Sequence, residues 1–209
     1  MRTPDHLQKL IQVLRAAVDI PLTIKIRSGW DDAQKNAMEV ARIAEAEGVD
    51  AVTVHGRTKT QGYSGQSDWS LIREISETLK IPVFGSGDVI DSKSAEVCLR
   101  GEIAGLYIGR AALSNPFVFR EIVKGESFSI SQNPSLLLTI LKRYQNYLSE
   151  DLPERCVLGK LKQLLCKVLP RHWWWKTAVL RTLSCDELLK VLEHACQPSD
   201  VDTAEEGKS

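Results

Sequence analysis

Along residues 6–110 the apolar positions switch back and forth between a helical and a strand period. Over 6–18, Leu7, Leu10, Ile11, Leu14 and Val18 fall on one helical stripe, and LTIKIRS (22–28) then reads as a short β-rich run. Val40, Ile43 and Ala44 restore the helical period over 36–47, with Gly48 placed as a C-cap. AVTVHG (51–56) is strand-like. Asp68 is placed to cap a helix carrying Trp69, Ile72, Ile75 and Leu79. IPVFGSG (81–87) predicts a third strand, residues 92–99 a short helix, and GLYIGR (105–110) a fourth strand.

Strands alternating with helices, with β-branched residues in the strands, predict a parallel sheet covered by helices. A doubly wound sheet and a (β/α)8 barrel of the TIM type both fit that alternation. The polar residues favour the barrel, because each strand ends in a chemically loaded turn. These are Lys25-Ile-Arg27, His55-Gly-Arg57, Gly85-Ser-Gly-Asp88 and Gly109-Arg110. Barrels build their sites at that carboxyl face, with phosphate at the loops after strands seven and eight. Four βα units make half a barrel, so residues 1–123 are expected to be its second half, strands 5–8. A half-barrel leaves strand edges unpaired. The chain is therefore expected to be a fragment, a split gene product, or a protein that pairs with a separate N-terminal half-barrel chain.

Beyond residue 123 the pattern changes. Residues 124–134 read as a polar linker, and 135–197 as a small all-α domain with helices over 135–148, 157–169 and 186–196, the last capped by Ser184 or Asp186. Residues 198–209 are acidic, lack large apolar side chains, and are expected to be a disordered tail. Three consecutive tryptophans, Trp173, Trp174 and Trp175, cannot all face one core, so at least one is expected at a surface or interface.

Charge refines this division. The formal net charge is +0. Residues 134–197 carry 10 Lys/Arg against 6 Asp/Glu, whereas residues 1–133 carry 16 against 17. A basic helical segment suits a polyanionic partner, although a solvated helix face explains the same excess. The five cysteines are odd in number and contain no Cys-x-x-Cys, so neither a disulfide framework nor a metal site is expected; most read as small buried apolar residues. The sequence shows no signal-peptide core and no membrane-length apolar run, so a cytoplasmic protein is expected.

The blocks KIRSGW, AVTVHGRTKTQGYSGQSDW, IPVFGSGDV and GLYIGRAALSNPFVF occur in an order that closely resembles the tRNA-dihydrouridine synthase family. The resemblance runs from about residue 15 to 120 and weakens in the helical tail. It implies an FMN-binding barrel followed by a tRNA-binding helical domain, with NADPH as electron donor and uridine in tRNA reduced to 5,6-dihydrouridine. It implies that Lys25 contacts the flavin ring and that His55 lies near flavin and phosphate. Ser86, Gly87 and Asp88 match a segment that usually reads Asn-Gly-Asp, and Gly109 and Arg110 match a second phosphate-binding pair. Ser86 departs from the common Asn. The family's first four strands and its catalytic cysteine would precede Met1, so no catalytic residue is assigned within this chain.

Ordinary readings stand beside these. Lys25 suits an ion-paired strand end, His55 a structural histidine, and Gly-Ser-Gly-Asp a common turn. Arg57 and Lys59 are candidates for RNA phosphates or plain surface charges, and Trp69 is expected to pack on the barrel helix. The alternatives to the synthase are a truncated, non-enzymatic RNA-binding protein and another FMN-dependent barrel oxidoreductase acting on a small molecule.

Overall fold

The computed structural model describes residues 3–125, 133–169 and 175–195. It divides into two compact units, one of Met1–Ala111 with Glu121–Gly125, the other of Ala112–Arg120 with Glu126–Ser209.

The first unit is α/β. Helix α1 (Pro4–Ala17) leads into β1 (Thr23–Arg27), followed by α2 (Ala37–Ala46), β2 (Ala51–His55), α3 (Trp69–Thr78), β3 (Val83–Ser86), α4 (Ser92–Cys98) and β4 (Gly105–Tyr107). The four strands form one parallel sheet in the order β1-β2-β3-β4. Local chemistry sets several boundaries. Asp68 accepts a hydrogen bond from the Leu71 amide, Asp91 and Ser94 form a capping box at α4, and Gly48 turns the chain after α2 at φ +81°.

Alternation along the strands gives the sheet two unlike faces. Ile26, Val52, Val54 and Val83 are buried with Val40, Ala41, Ala44, Ile72 and Ile75, forming the core beneath α2 and α3. The opposite face presents Lys25, Thr53, Phe84 and Gly105 in one cross-strand row and Arg27, His55, Ser86 and Tyr107 in the next. Lys25 and Tyr107 are exposed there, and Thr53 and Phe84 are half-buried.

The stripe on α1 differs from its sequence reading. Ile11 is buried, but Leu10 is 49% and Leu14 42% exposed. The main packing of the helix is against α2, and Leu7 and Ile11 are the stripe residues that meet the core there.

Helix α5 (Arg110–Ser114) and helix α6 (Val118–Lys124) span the division between units. The second unit is helical, with α7 (Pro134–Ser149), α8 (Glu154–Val168), α9 (Lys176–Arg181) and α10 (Cys185–Ala195). Leu137, Leu141, Leu161, Leu165, Trp175, Leu188 and Leu192 form its core. Ser184 caps α10 by accepting from the Glu187 amide. Part of the unit's positive charge is committed internally. Lys142 pairs with Glu193, Lys162 donates to the Leu180 and Thr182 carbonyls, and Lys176 donates to that of Leu169.

Trp175 is buried, whereas Trp173, Trp174, Cys196 and the tail 198–209 lie outside the described residues. Of the described cysteines, Cys98 and Cys185 are buried but Cys156 and Cys166 are exposed, so the expectation of mostly buried thiols holds for half of them. Among the described residues no helix is long and apolar enough to cross a membrane.

Candidate functional site at the carboxyl ends of the strands

The parallel register brings the strand-end residues together. Arg27, His55, Ser86 and Tyr107 are successive cross-strand partners from β1 to β4. Lys25 stands one row back, and its Nζ lies 5.6 Å from the Tyr107 ring centroid. That contact links the two outermost strands above the sheet face, as expected of a sheet curled towards that face.

The cations here shape one another. Although the Lys25 side chain is exposed on the sheet face, partial desolvation there, with the Arg27 charge adding to it, lowers its pKa. Burial and then the charges of Arg27, Lys25 and Arg57 push His55 down to about 4, with Asp88 opposing them. His55 is therefore neutral at pH 7 and works as a hydrogen-bonding group. Arg27 donates through Nη1 to the carbonyls of Thr58 (2.8 Å) and Gly62 (3.2 Å), so it braces the loop after β2.

The turn after β3 has unusual backbone geometry. Gly87 has φ +119° and Asp88 φ +59°. A Cβ on Gly87 would strike Ser67 Oγ and would lie 2.9 Å from His55 Cδ2, so only glycine fits. Gly85 is equally constrained, because the Trp69 ring occupies the space a Cβ would need. Trp69 thus packs on β3, and it also donates from Nε1 to the Gly87 carbonyl at 3.0 Å.

The structure corrects the reading of Arg57. Its side chain is 3% exposed, which removes it as a surface charge or an RNA contact. Nε donates to the Ser64 carbonyl at 3.0 Å, while Nη2 donates to the Gly65 carbonyl at 2.6 Å and to both Asp88 carboxylate oxygens at 2.8 Å. Nη1 is buried with no hydrogen-bond partner among the described residues. Asp88 Oδ2 also accepts from the Ser67 amide at 2.7 Å. Burial by itself would raise the Asp88 pKa, but the Ser67 amide and the Arg57 guanidinium together hold it below the usual carboxylate range, and Arg110 adds to them. Asp88 is thereby turned towards structural partners.

Arg110 begins α5 and stacks on Tyr63, with Cζ 4.1 Å from the ring centroid. The space around the Gly109 α-carbon is open. Lys59 rests over Trp30 at 5.9 Å. The seven sequence candidates therefore occupy the end of β3 and the turn after it (Ser86, Gly87, Asp88), the passage from β4 into α5 (Gly109, Arg110) and the same sheet face on β1 and β2 (Lys25, His55). The sequence reading missed Arg57, Ser67 and Trp69 as the groups that fix the turn after β3. The spacing of Ser-x-Trp before a predicted helix gives no sign of that role. A cleft of about 450 Å³ lies outside this turn, lined by Arg57, Trp69, Asp88, Ser94 and Cys98 among others. Burial pushes the Cys98 thiol up to about 11, which makes it a poor acid and a poor nucleophile at neutral pH.

Known proteins place this arrangement in a family. The model of the dihydrouridine synthase family matches residues 1–197. A probable tRNA-dihydrouridine synthase of Rhodobacter capsulatus is 42% identical over 123 residues, covering 58% of this chain and 38% of the relative. One of Rickettsia bellii is 39% identical over 150 residues, covering 69% and 46%. The tRNA-dihydrouridine synthase B of Pseudomonas putida is 43% identical over 123 residues, covering 58% and 36%. The chain thus matches less than half the length of these curated relatives. A solved FabK mutant from Thermotoga maritima overlays with a TM-score of 0.29 at 21% identity, covering 54% of this chain and 52% of that one, a likeness too slight to bear on the fold. On the family match across 1–197 and the strand-end blocks it contains, the chain belongs to the dihydrouridine synthase family.

Proposed function

We propose that this chain supplies the second half, strands 5–8, of a (β/α)8 flavin barrel, with a helical tRNA-binding domain after it, in an enzyme that reduces uridine of tRNA to dihydrouridine. The observation that carries the reading is the convergence of Lys25, His55 and Arg110 around the left-handed turn Ser86-Gly87-Asp88 at one end of a parallel sheet. The unlike faces of the sheet support it, since a barrel interior is lined by the face turned away from the helices.

The residues present fit FMN. Two turns rich in glycine, one of which cannot tolerate a Cβ, let backbone amides approach a phosphate, and Arg110 offers a bidentate cation beside them. In this reading Lys25 brings its ammonium to the pyrimidine edge of a flavin ring, and neutral His55 donates a hydrogen bond without adding charge. When bound, the flavin supplies the hydride that reduces uracil, with NADPH as its reductant. The target base must leave its stack to reach such a site. Basic side chains of the helical unit hold tRNA through its phosphates. The proton for uracil is not assigned to a cysteine of this chain. Cys98 and Cys185 are buried with raised pKa values, and Cys156 and Cys166 belong to the helical unit.

The test is complementation. The full chain is mixed with the N-terminal half of the Pseudomonas putida relative and titrated with FMN. The mixture is then assayed for dihydrouridine in unmodified tRNA with NADPH. Restored flavin binding and product formation are expected, whereas the chain alone binds FMN weakly or not at all and forms no product. A folded mixture that binds no FMN would sink the reading.

A further inference from the structure

Arg57 is the most deeply buried cation of the strand-end cluster, and everything its fork touches belongs to the loop 57–67 or to Asp88. The carbonyls of Ser64 and Gly65, accepting from Nε and Nη2, fix the plane of the guanidinium, and the same Nη2 lies 2.8 Å from both oxygens of Asp88. Asp88 is the one non-glycine residue with positive φ among the described residues. A left-handed aspartate persists only where its surroundings over-determine it. Here Arg57 and the Ser67 amide do so.

The same loop holds the two carbonyls that precede Asp88. Ser67 Oγ donates to the Ser86 carbonyl at 3.2 Å, and Trp69 Nε1 donates to that of Gly87 at 3.0 Å. In a trans peptide the C=O and the next N–H point in opposite directions. With both carbonyls drawn towards the 57–69 loop, the amides of Gly87 and Asp88 face away from it, side by side, which is the arrangement that cradles an oxyanion. Tyr63 of the same loop stacks on Arg110, the cation that also acts on Asp88.

We propose that Arg57 is a positioning residue: its fork holds Asp88 in the left-handed conformation and thereby aims the Gly87 and Asp88 amides at a phosphate it does not itself touch. The inference rests on the reading of that turn as the flavin phosphate site. A lysine would keep the charge but lack the planar fork that ties Asp88 to two loop carbonyls at once.

The test uses the full chain, isotope-labelled and complemented with the unlabelled N-terminal half of the Pseudomonas putida relative, as wild type, Arg57→Lys and Asp88→Asn. Each is titrated with inorganic phosphate, FMN and riboflavin while amide and indole N–H signals are followed by NMR. Phosphate and FMN, but not riboflavin, are expected to shift the Gly87 and Asp88 amides of the wild type. Arg57→Lys is expected to weaken that response roughly tenfold, the loss expected when the geometry of a charge-assisted contact is spoiled. The Trp69 indole signal should move in both variants, while signals from Val52 and Ile72 stay in place. Wild-type turn signals and phosphate affinity in Arg57→Lys would overturn the proposal, and so would shifts spread through the Val52–Ile72 core, which would make Arg57 a general structural support. A wild-type turn that ignores both phosphate and FMN defeats the flavin-site reading instead. The Trp69 shift between wild type and Arg57→Lys then still decides whether Arg57 sets the turn.

Discussion

Replacing Gly87 by alanine tests the turn after β3 at its tightest point. Two costs add. The backbone sits at φ +119°, a region in which a side chain costs on the order of 1–3 kcal/mol. The new methyl would also strike Ser67 Oγ, lie 2.7 Å from Ser67 Cβ and lie 2.9 Å from His55 Cδ2. Ser67 is held by Ser86 and Asp88 and cannot withdraw freely, so overpacking adds about 1–3 kcal/mol. The sum is roughly 2–6 kcal/mol. Gly62→Ala is the control, since Gly62 has φ +58° and a Cβ there would meet nothing within 4 Å, which leaves only the left-handed penalty of about 1–2 kcal/mol. Urea unfolding followed by far-UV circular dichroism reads both. With a urea slope of about 1–3 kcal/mol/M, Gly87→Ala should lower the midpoint by on the order of 1 M or more, and by clearly more than Gly62→Ala. Equal midpoints for the two variants would refute the steric argument and, with it, the placing of Ser67 against the turn.

Three further outcomes are expected. The folded His55 pKa is depressed to about 4, so the unfolded state takes up the proton first as pH falls below about 6.5; stability is lost between about pH 6.5 and 4, by at most ~3 kcal/mol, and His55→Gln should lack that part of the slope in urea titrations across the window. Leu161→Ala opens a cavity in the helical core at a cost of about 2–5 kcal/mol, and hydrogen exchange should quicken in α8 but not in β2; equal loss in both would contradict two separate units. In the complemented barrel, Arg110→Ala should weaken FMN by about 1.5–3 kcal/mol while Lys59→Ala lowers only tRNA affinity, and identical flavin titrations of the two would refute the phosphate role of Arg110.

The periodicity of the sequence was a good guide where burial follows period. Val52, Val54, Ile72, Ile75 and Leu161 sit in cores because strand alternation and helical spacing leave them no other face. It was a poor guide at Leu10 and Leu14, which lie on the helical stripe yet are exposed, because a period marks a face but not what covers it. The strand-end chemistry was visible as residue types, since Lys25, His55, Gly87 and Arg110 each carry a recognisable capacity. What they rest on was not visible. Arg57 looks like any exposed cation after a strand, and only a fold that returns Asp88 to it across 31 positions turns it into a buried fork. Trp69 read as helix packing, and it does pack, but its indole N–H also holds a turn 18 residues away. Long-range partners of this kind depend on strand order and register, which periodicity does not contain.

The sheet order β1-β2-β3-β4 has a consequence for how the chain is made. Each strand pairs with the strand synthesised just before it, as in Thr23 with Ala51, Val52 with Val83 and Phe84 with Gly105. Every pairing closes about 20–30 residues of chain, so the entropic cost of each step is nearly the same and none waits on a distant segment. The ribosome can therefore deliver the sheet in the order in which it assembles, each βα unit docking on a finished neighbour. Until the last strand arrives, the growing edge is always the newest one, and a nascent chain that stalls between β3 and β4 would offer β3 to any passing strand.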